Sequence, residues 1–161
     1  MKVIFLDVDG VLNFSATEAR SPSGYIGIAE KCVRNLKSIV DKTGAFIVLT
    51  SDWKNGWSPD NERCDPEAKY LNKKLNRHGL HIMTATHEDT RKHRGAGISE
   101  WLKRNPHVTN WVVLDDELFE DYTPLGILPH YVQTDFYTDG LNEAKAEQAI
   151  ALLNREGEKH A

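Results

Sequence analysis

Three pairs of polar residues in this chain have the types and positions to do chemistry. Asp7 and Asp9 flank one residue within FLDVDGVLN, residues 5–13. Thr50 and Ser51 follow the apolar part of FIVLTSDWK, and Asp115 and Asp116 follow that of WVVLDDE. Each pair comes directly after a short run of β-branched and aromatic residues, the signature of a buried strand. In an open parallel sheet, ligands bind beyond the carboxyl ends of the strands. Neighbouring strand ends therefore bring four carboxylates and two hydroxyls into one cleft. Carboxylates that close raise one another's pKa, and a hard cation removes the conflict. Mg²⁺ takes one or two carboxylates, several waters and a phosphate oxygen, so the cluster predicts Mg²⁺ and, with it, a phosphorylated substrate. A lone Asp or Thr-Ser after a strand is ordinarily a turn or a cap. Capping does not call for Asp-x-Asp, a hydroxyl pair and Asp-Asp at three strong strand ends in that order.

The elements that must hold these residues can be read from periodicity. Val3–Leu6 is a buried strand, and Gly10–Gly27, rich in Ser, Gly and Pro, reads as a loop or small hairpin. Val33, Leu36, Ile39 and Val40 give helical spacing over Ile28–Lys42, with Gly44 just past the end. Ala45–Leu49 is a second strand. Pro66–His78 is a helix with Ala68, Leu71 and Leu75 on one face and Gly79 as its stop, and Leu80–Ala85 is a weaker strand. Ile98, Trp101 and Leu102 form the apolar face of another helix, ended near Asn105-Pro106. Trp111–Leu114 is a third strong strand, Tyr131–Thr134 a last one, and Asn142 caps a final helix over Glu143–Leu153. Strands alternating with helices predict an α/β fold, a parallel sheet with helices on both faces, in a single domain spanning 1–161.

Bulk properties narrow the class. With 161 residues, 40% hydrophobic and 27% charged, the chain can bury a real core and needs no special scaffold. A net charge of -4 gives no global basic field toward nucleic acid; Arg91-Lys92-His93-Arg94 is the clearest local basic cluster. Cys32 and Cys64 have neither metal-ligand nor disulfide spacing and read as free thiols. No apolar run has the length of a signal core or a membrane span, so the expectation is a cytoplasmic protein with no membrane partner.

In order and loop length, FLDVDGVLN, FIVLTSDWK and WVVLDDE resemble motifs I, II and IV of the haloacid dehalogenase (HAD) superfamily, over nearly the whole chain. The closer resemblance is to the HAD domain of Swiss Army Knife RNA repair proteins. It is carried by DVDGVLN, the Thr-Ser and Trp-Lys of residues 50–54, the helix start Arg94-Gly95-Ala96-Gly97-Ile98-Ser99-Glu100-Trp101-Leu102, VVLDD, and Val132-Gln133-Thr134-Asp135 with Gly140-Leu141. The resemblance implies a Rossmann-like doubly wound parallel sheet of the HAD type, capless, with a small flap after strand 1. It implies Asp7 as the nucleophile and Asp9 as the acid/base. Gly10 permits the tight turn between them and stands with the phosphate-binding groups. It further implies that the Thr50 hydroxyl and nearby backbone N–H groups hold phosphate oxygens, with Ser51 as a second donor. For the motif III cation the resemblance points to Arg94, with Lys92 as its rival. It implies as metal ligands Asp7, the backbone carbonyl of Asp9, and Asp115 and Asp116, one of the last two binding directly and the other through water.

The intervals between motifs have no room for a cap domain. An open site suits a phosphate on a large substrate, either a polynucleotide end or a protein side chain. The resemblance favours the terminal phosphate of RNA or DNA, and the net acidity confines contact to the strand terminus. Two other readings stand beside it: a nucleotidase acting on free mononucleotides, and a phosphate-end binding module without turnover, against which the intact motifs I, II and IV argue. The choice of 5′ or 3′ phosphate and the oligomeric state are open at this level. Trp101 and Trp111 read as core. Trp53 and Trp57 fall near the cleft mouth, where stacking on a base and packing under a loop are both open.

Overall fold

The computed structural model describes residues 1–87 and 92–156. Its elements are β1 (Lys2–Leu6), α1 (Glu30–Thr43), β2 (Phe46–Leu49), α2 (Pro66–Asn76), β3 (Ile82–Ala85), α3 (Arg94–Arg104), β4 (Asn110–Asp115), β5 (Tyr131–Gln133) and α4 (Glu143–Leu153). The five strands form one parallel sheet in the order β3-β2-β1-β4-β5.

Side-chain alternation along the strands decides what each sheet face buries. Ile4, Leu6, Ile47, Leu49, Val112 and Leu114 point into a core shared with α1, α2 and α4, through residues such as Leu36, Leu71 and Ala149. Val3, Phe5, Val48 and Val113 point the other way, against Ile98 of α3 and against Phe119, Tyr122 and Ile127 of the β4–β5 connection. Trp101 and Trp111 pack edge-on to Phe5, with ring centroids 5.5 and 5.8 Å away. Both faces are covered, as the sequence pattern requires, but unequally: three helices on one side, and one helix plus an irregular segment on the other.

This asymmetry positions the site. The connections through α1 and α2 carry the chain outward from β1 to β2 to β3. The connection through α3 then carries it back past β1 to β4, over the opposite face. The winding therefore reverses between β1 and β4, and a crevice opens at such a switch point. Register makes the three strand ends level, because Leu6 pairs with both Leu49 and Leu114. Asp7, Thr50 and Asp115 are the next residues of the three strands.

Element ends follow local chemistry. Gly44 closes α1 with φ 72°, its N–H donating to the Val40 carbonyl. The Asn142 side chain accepts from the Lys145 N–H at the start of α4, as a cap should. After β1 the chain turns tightly, the Val8 carbonyl accepting from the Val11 and Leu12 amides. It then makes a small antiparallel bridge, Arg20 with Ile26, which is the expected flap. Cys32 and Cys64 are buried, unpaired thiols. Among the described residues no helix is long and apolar enough to cross a membrane.

Candidate active site

Asp7, Asp115 and Asp116 offer carboxylate oxygens that all lie within 4.8 Å of one another. Asp7 and Asp115 are buried, and Asp116 is half-buried. The one cation in contact with the buried pair among the described residues is Arg94, itself buried at the first position of α3. Its Nη1 is 2.9 Å from Asp115 Oδ2 and 3.1 Å from Asp7 Oδ1, and its guanidinium lies 4.6 Å over the Phe119 ring. The Tyr122 hydroxyl, wholly buried, donates to the same Asp115 oxygen at 3.3 Å. Asp115 Oδ1 accepts from the Glu117 N–H at 3.0 Å.

One guanidinium against three carboxylates leaves this group short of two positive charges. Burial and then the Asp115 charge raise the Asp7 carboxyl well above its ordinary range, with Arg94 only partly offsetting them. Burial and Asp115 push Asp116 up to about 6. Burial alone would lower the Arg94 pKa, but Asp7 and Asp115 together raise it, so the guanidinium stays charged. The missing charge equals that of one divalent cation, and oxygen-only donors suit a hard one. The residues present therefore fit Mg²⁺, with Asp7, Asp115 and Asp116 supplying side-chain oxygens.

Gly10 shapes the turn that joins the two motif I acids. Its φ is 81°, and a Cβ there would collide with the Asp116 carboxylate. Its N–H donates to Asn13 Oδ1 at 2.9 Å, and its carbonyl accepts from Thr134 Oγ1 at 2.6 Å. Asp9 lies outside the carboxylate cluster and is exposed. Its Oδ1 accepts from Asn13 Nδ2 at 2.9 Å, and its Oδ2 accepts from the Trp53 indole N–H at 3.1 Å. The two acids of Asp-x-Asp thus have different surroundings: Asp7 among charges, Asp9 held by two neutral donors.

Thr50 donates its backbone N–H to the Leu6 carbonyl and is fully buried beside Asp7. Its Oγ1 has no hydrogen-bond partner among the described residues. A buried hydroxyl without a partner costs free energy that a ligand oxygen can repay. Ser51 Oγ accepts from the Trp53 N–H at 3.2 Å and so caps the 3-10 turn Asp52–Gly56. That turn sets the indole against Asp9. Both Trp53 and Trp57 are half-buried against the main core, but the Trp57 indole donates to Asn72 Oδ1 rather than to the cleft.

Of the two candidate cations, Arg94 touches the cluster, and Lys92 is exposed. Arg91 of the basic run lies outside the described residues. Several residues that hold the site do not emerge from the motifs. Asp121, in the β4–β5 connection, accepts from the Gly95 and Ala96 amides at 3.0 and 2.8 Å. It caps α3 from outside the helix, where His93 makes no side-chain cap, and so fixes the residue next to Arg94. Tyr122 and Phe119 belong to the same connection. Nothing in their local spacing marks them: Asp121 and Phe119 reach back to the start of α3, and Tyr122 acts on Arg94 only through the Asp115 oxygen that both contact.

Residues 3–146 match the family described as the HAD domain in Swiss Army Knife RNA repair proteins. The chain belongs to this HAD family, and its five-stranded parallel sheet flanked by helices is consistent with a HAD Rossmann-like domain. Membership supports a hydrolase of the HAD phosphatase type. No curated protein matches the chain.

Proposed function

We propose that this domain is a Mg²⁺-dependent phosphomonoesterase that works through an aspartyl-phosphate on Asp7 and acts on a terminal phosphate of nucleic acid. The observation that carries the proposal is the triad of Asp7, Asp115 and Asp116 oxygens beside the unpartnered Thr50 hydroxyl. Bound there, Mg²⁺ would supply charge neutralisation to the phosphoryl group. In the first step an Asp7 oxygen attacks phosphorus and the leaving oxygen takes a proton from Asp9. In the second, Asp9 takes a proton from water, whose oxygen attacks the aspartyl-phosphate and frees Asp7 and inorganic phosphate. Thr50 Oγ1 donates to a phosphate oxygen, and Arg94 steadies Asp7 and the charge that develops beside it.

The family's description, which concerns RNA repair, supports the nucleic-acid substrate, as do the short intervals between motifs. One observation favours a second reading. Among the described residues, the cleft beside Asp9 is lined by Asp52, Asp65 and Glu67 and by no basic side chain, which disfavours a long polyanion and suits a free mononucleotide. Phosphorylated RNA and DNA oligonucleotides, with 5′ or 3′ ends, are compared with the matching mononucleotides in Mg²⁺. A higher kcat/KM on oligonucleotides is expected. Equal or better use of mononucleotides replaces the reading with a nucleotidase, and binding without turnover of any ester replaces it with an end-binding module.

A further inference from the structure

A cleft of about 750 Å³ opens beside Asp9. Its apolar walls are Tyr25 and Ile26 from the flap, Trp53 from the turn after β2, and Phe136 from the segment after β5. Tyr25 is 71% exposed, an aromatic ring left uncovered at the rim. Asp52, Asp65 and Glu67 add acidic groups to the lining, and Asn55 a neutral amide. Asp65 and Glu67 are already satisfied by backbone donors, the Ala68 and Ser23 amides, each at 2.8 Å. They do not call for a cation, but they repel an anion.

We propose that this cleft is the leaving-group subsite, that it takes the single uncharged flat ring of a nucleobase adjoining the scissile phosphate, and that Trp53 is the positioning residue that links its occupancy to Asp9. The volume lies within the range of small-molecule pockets, about 300–1,000 Å³. Aromatic walls stack on any base face, whatever its sequence. The acidic lining turns a second phosphate away, so a strand leaves the cleft after one nucleoside. Trp53 is both a wall of the cleft and a donor to Asp9 Oδ2 at 3.1 Å. A ring stacked on the indole therefore fixes the carboxylate that must hand its proton to the leaving oxygen. The inference rests on the phosphatase reading for its assignment of the leaving-group side.

Calorimetric titration of the metal-free protein with adenosine, and with ribose as the control, tests the subsite without turnover. Adenosine should saturate and ribose should not. Trp53→Leu should weaken adenosine at least about tenfold, and Trp53→Phe, which keeps a stacking ring, should weaken it much less. Tyr25→Ala alters an exposed ring, leaves the core untouched, and should weaken adenosine severalfold; it decides the matter if Trp53→Leu does not fold. Kinetics test the link to Asp9. Trp53→Phe should lower kcat on a nucleotide about tenfold with KM nearly unchanged, and lose much less on 4-nitrophenyl phosphate, whose leaving group needs little protonation. No saturable adenosine binding, or binding indifferent to these substitutions, overturns the subsite. Equal kcat losses on both esters overturn the positioning role. Failure of the wild type to hydrolyse any ester removes the phosphatase reading, while the adenosine titration still decides the subsite.

Discussion

The inner and outer halves of the cleft use the same side chain for different work. Asp7 and Asp115 are buried and share one guanidinium. Asp9 and Asp52 are exposed; the first is held by two neutral donors, and the second stands 3.6 Å from the outer nitrogen of Arg94. In the interior, charge–charge energies are large because little water screens them; at the rim they are small. The inner half is therefore organised by electrostatics and depends on its charge balance. The outer half is organised by hydrogen-bond geometry.

The largest test of this division separates the two motif I acids. Asp7→Asn and Asp9→Asn should both lose turnover by several orders of magnitude, general acid–base help alone being typically worth about 10²–10⁴-fold. They should differ in what accumulates. After a rapid acid quench with an aryl phosphate, Asp7→Asn should carry no phosphate by intact-protein mass. Asp9→Asn should carry one that persists, on Asp7. An adduct on Asp7→Asn, or a wild-type adduct mapped elsewhere, breaks the assignment.

Metal removal should come next. A chelator should abolish hydrolysis, Mg²⁺ should restore it, and Ca²⁺ should restore it poorly because it relaxes octahedral geometry. The same charge balance sets a pH dependence of stability. Asp116 has a folded-state pKa raised from 3.8 to about 6, by burial and then by Asp115. An acid raised on folding holds its proton more firmly in the folded state, so stability is greatest below the unfolded pKa and falls as pH rises through the folded one. Metal-free protein should therefore lose Tm between about pH 4 and 6. Mg²⁺ should flatten that slope, and Asp116→Asn should reduce it. A Tm that rises over this window without metal, in wild type but not in Asp116→Asn, contradicts the charge balance described.

Gly10→Ala tests the seam between the halves. The substitution forces an L side chain to φ 81° and drives its Cβ into the Asp116 carboxylate. Strain of this kind costs about 1–3 kcal/mol, and the displaced carboxylate should also weaken Mg²⁺ binding. Chemical denaturation and a metal titration read the two effects. Wild-type values in both would mean that the turn is not under the constraint seen here.

The smallest expected effects compare one partner from each half. Tyr122→Phe removes a buried hydroxyl from Asp115 and should cost about 1 kcal/mol of stability. Asp52→Asn removes an exposed partner of Arg94 and should leave Tm unchanged within error. If Asp52→Asn were the more costly of the two, the outer half would share the electrostatic role assigned to the inner one.

Much of the fold was legible because its signals are local. The apolar runs before Asp7, Thr50 and Asp115, the glycine after α1 and the Asn142 cap each act within a few residues of chain, and the expected elements stand where those signals are, with ends shifted by one or two residues. The α1 helix begins at Glu30 rather than Ile28, since Ala29 is extended. The three polar strand ends were also legible, since a carboxylate after a buried strand is visible wherever the strand goes. What the sequence alone left open was decided by packing across long stretches of chain. The strand order put β1 between β2 and β4 and made three strand ends level. The return of α3 over the opposite face brought Arg94, and not Lys92, against Asp7. Asp121, Tyr122 and Phe119 fixed that arginine from the next connection. The turn after Ser51 aimed the Trp53 indole N–H at Asp9 and that of Trp57 at Asn72, though both rings rest against the same core. No pattern in a window of ten residues encodes such choices, because each depends on which surfaces are buried together when the sheet winds both ways from β1.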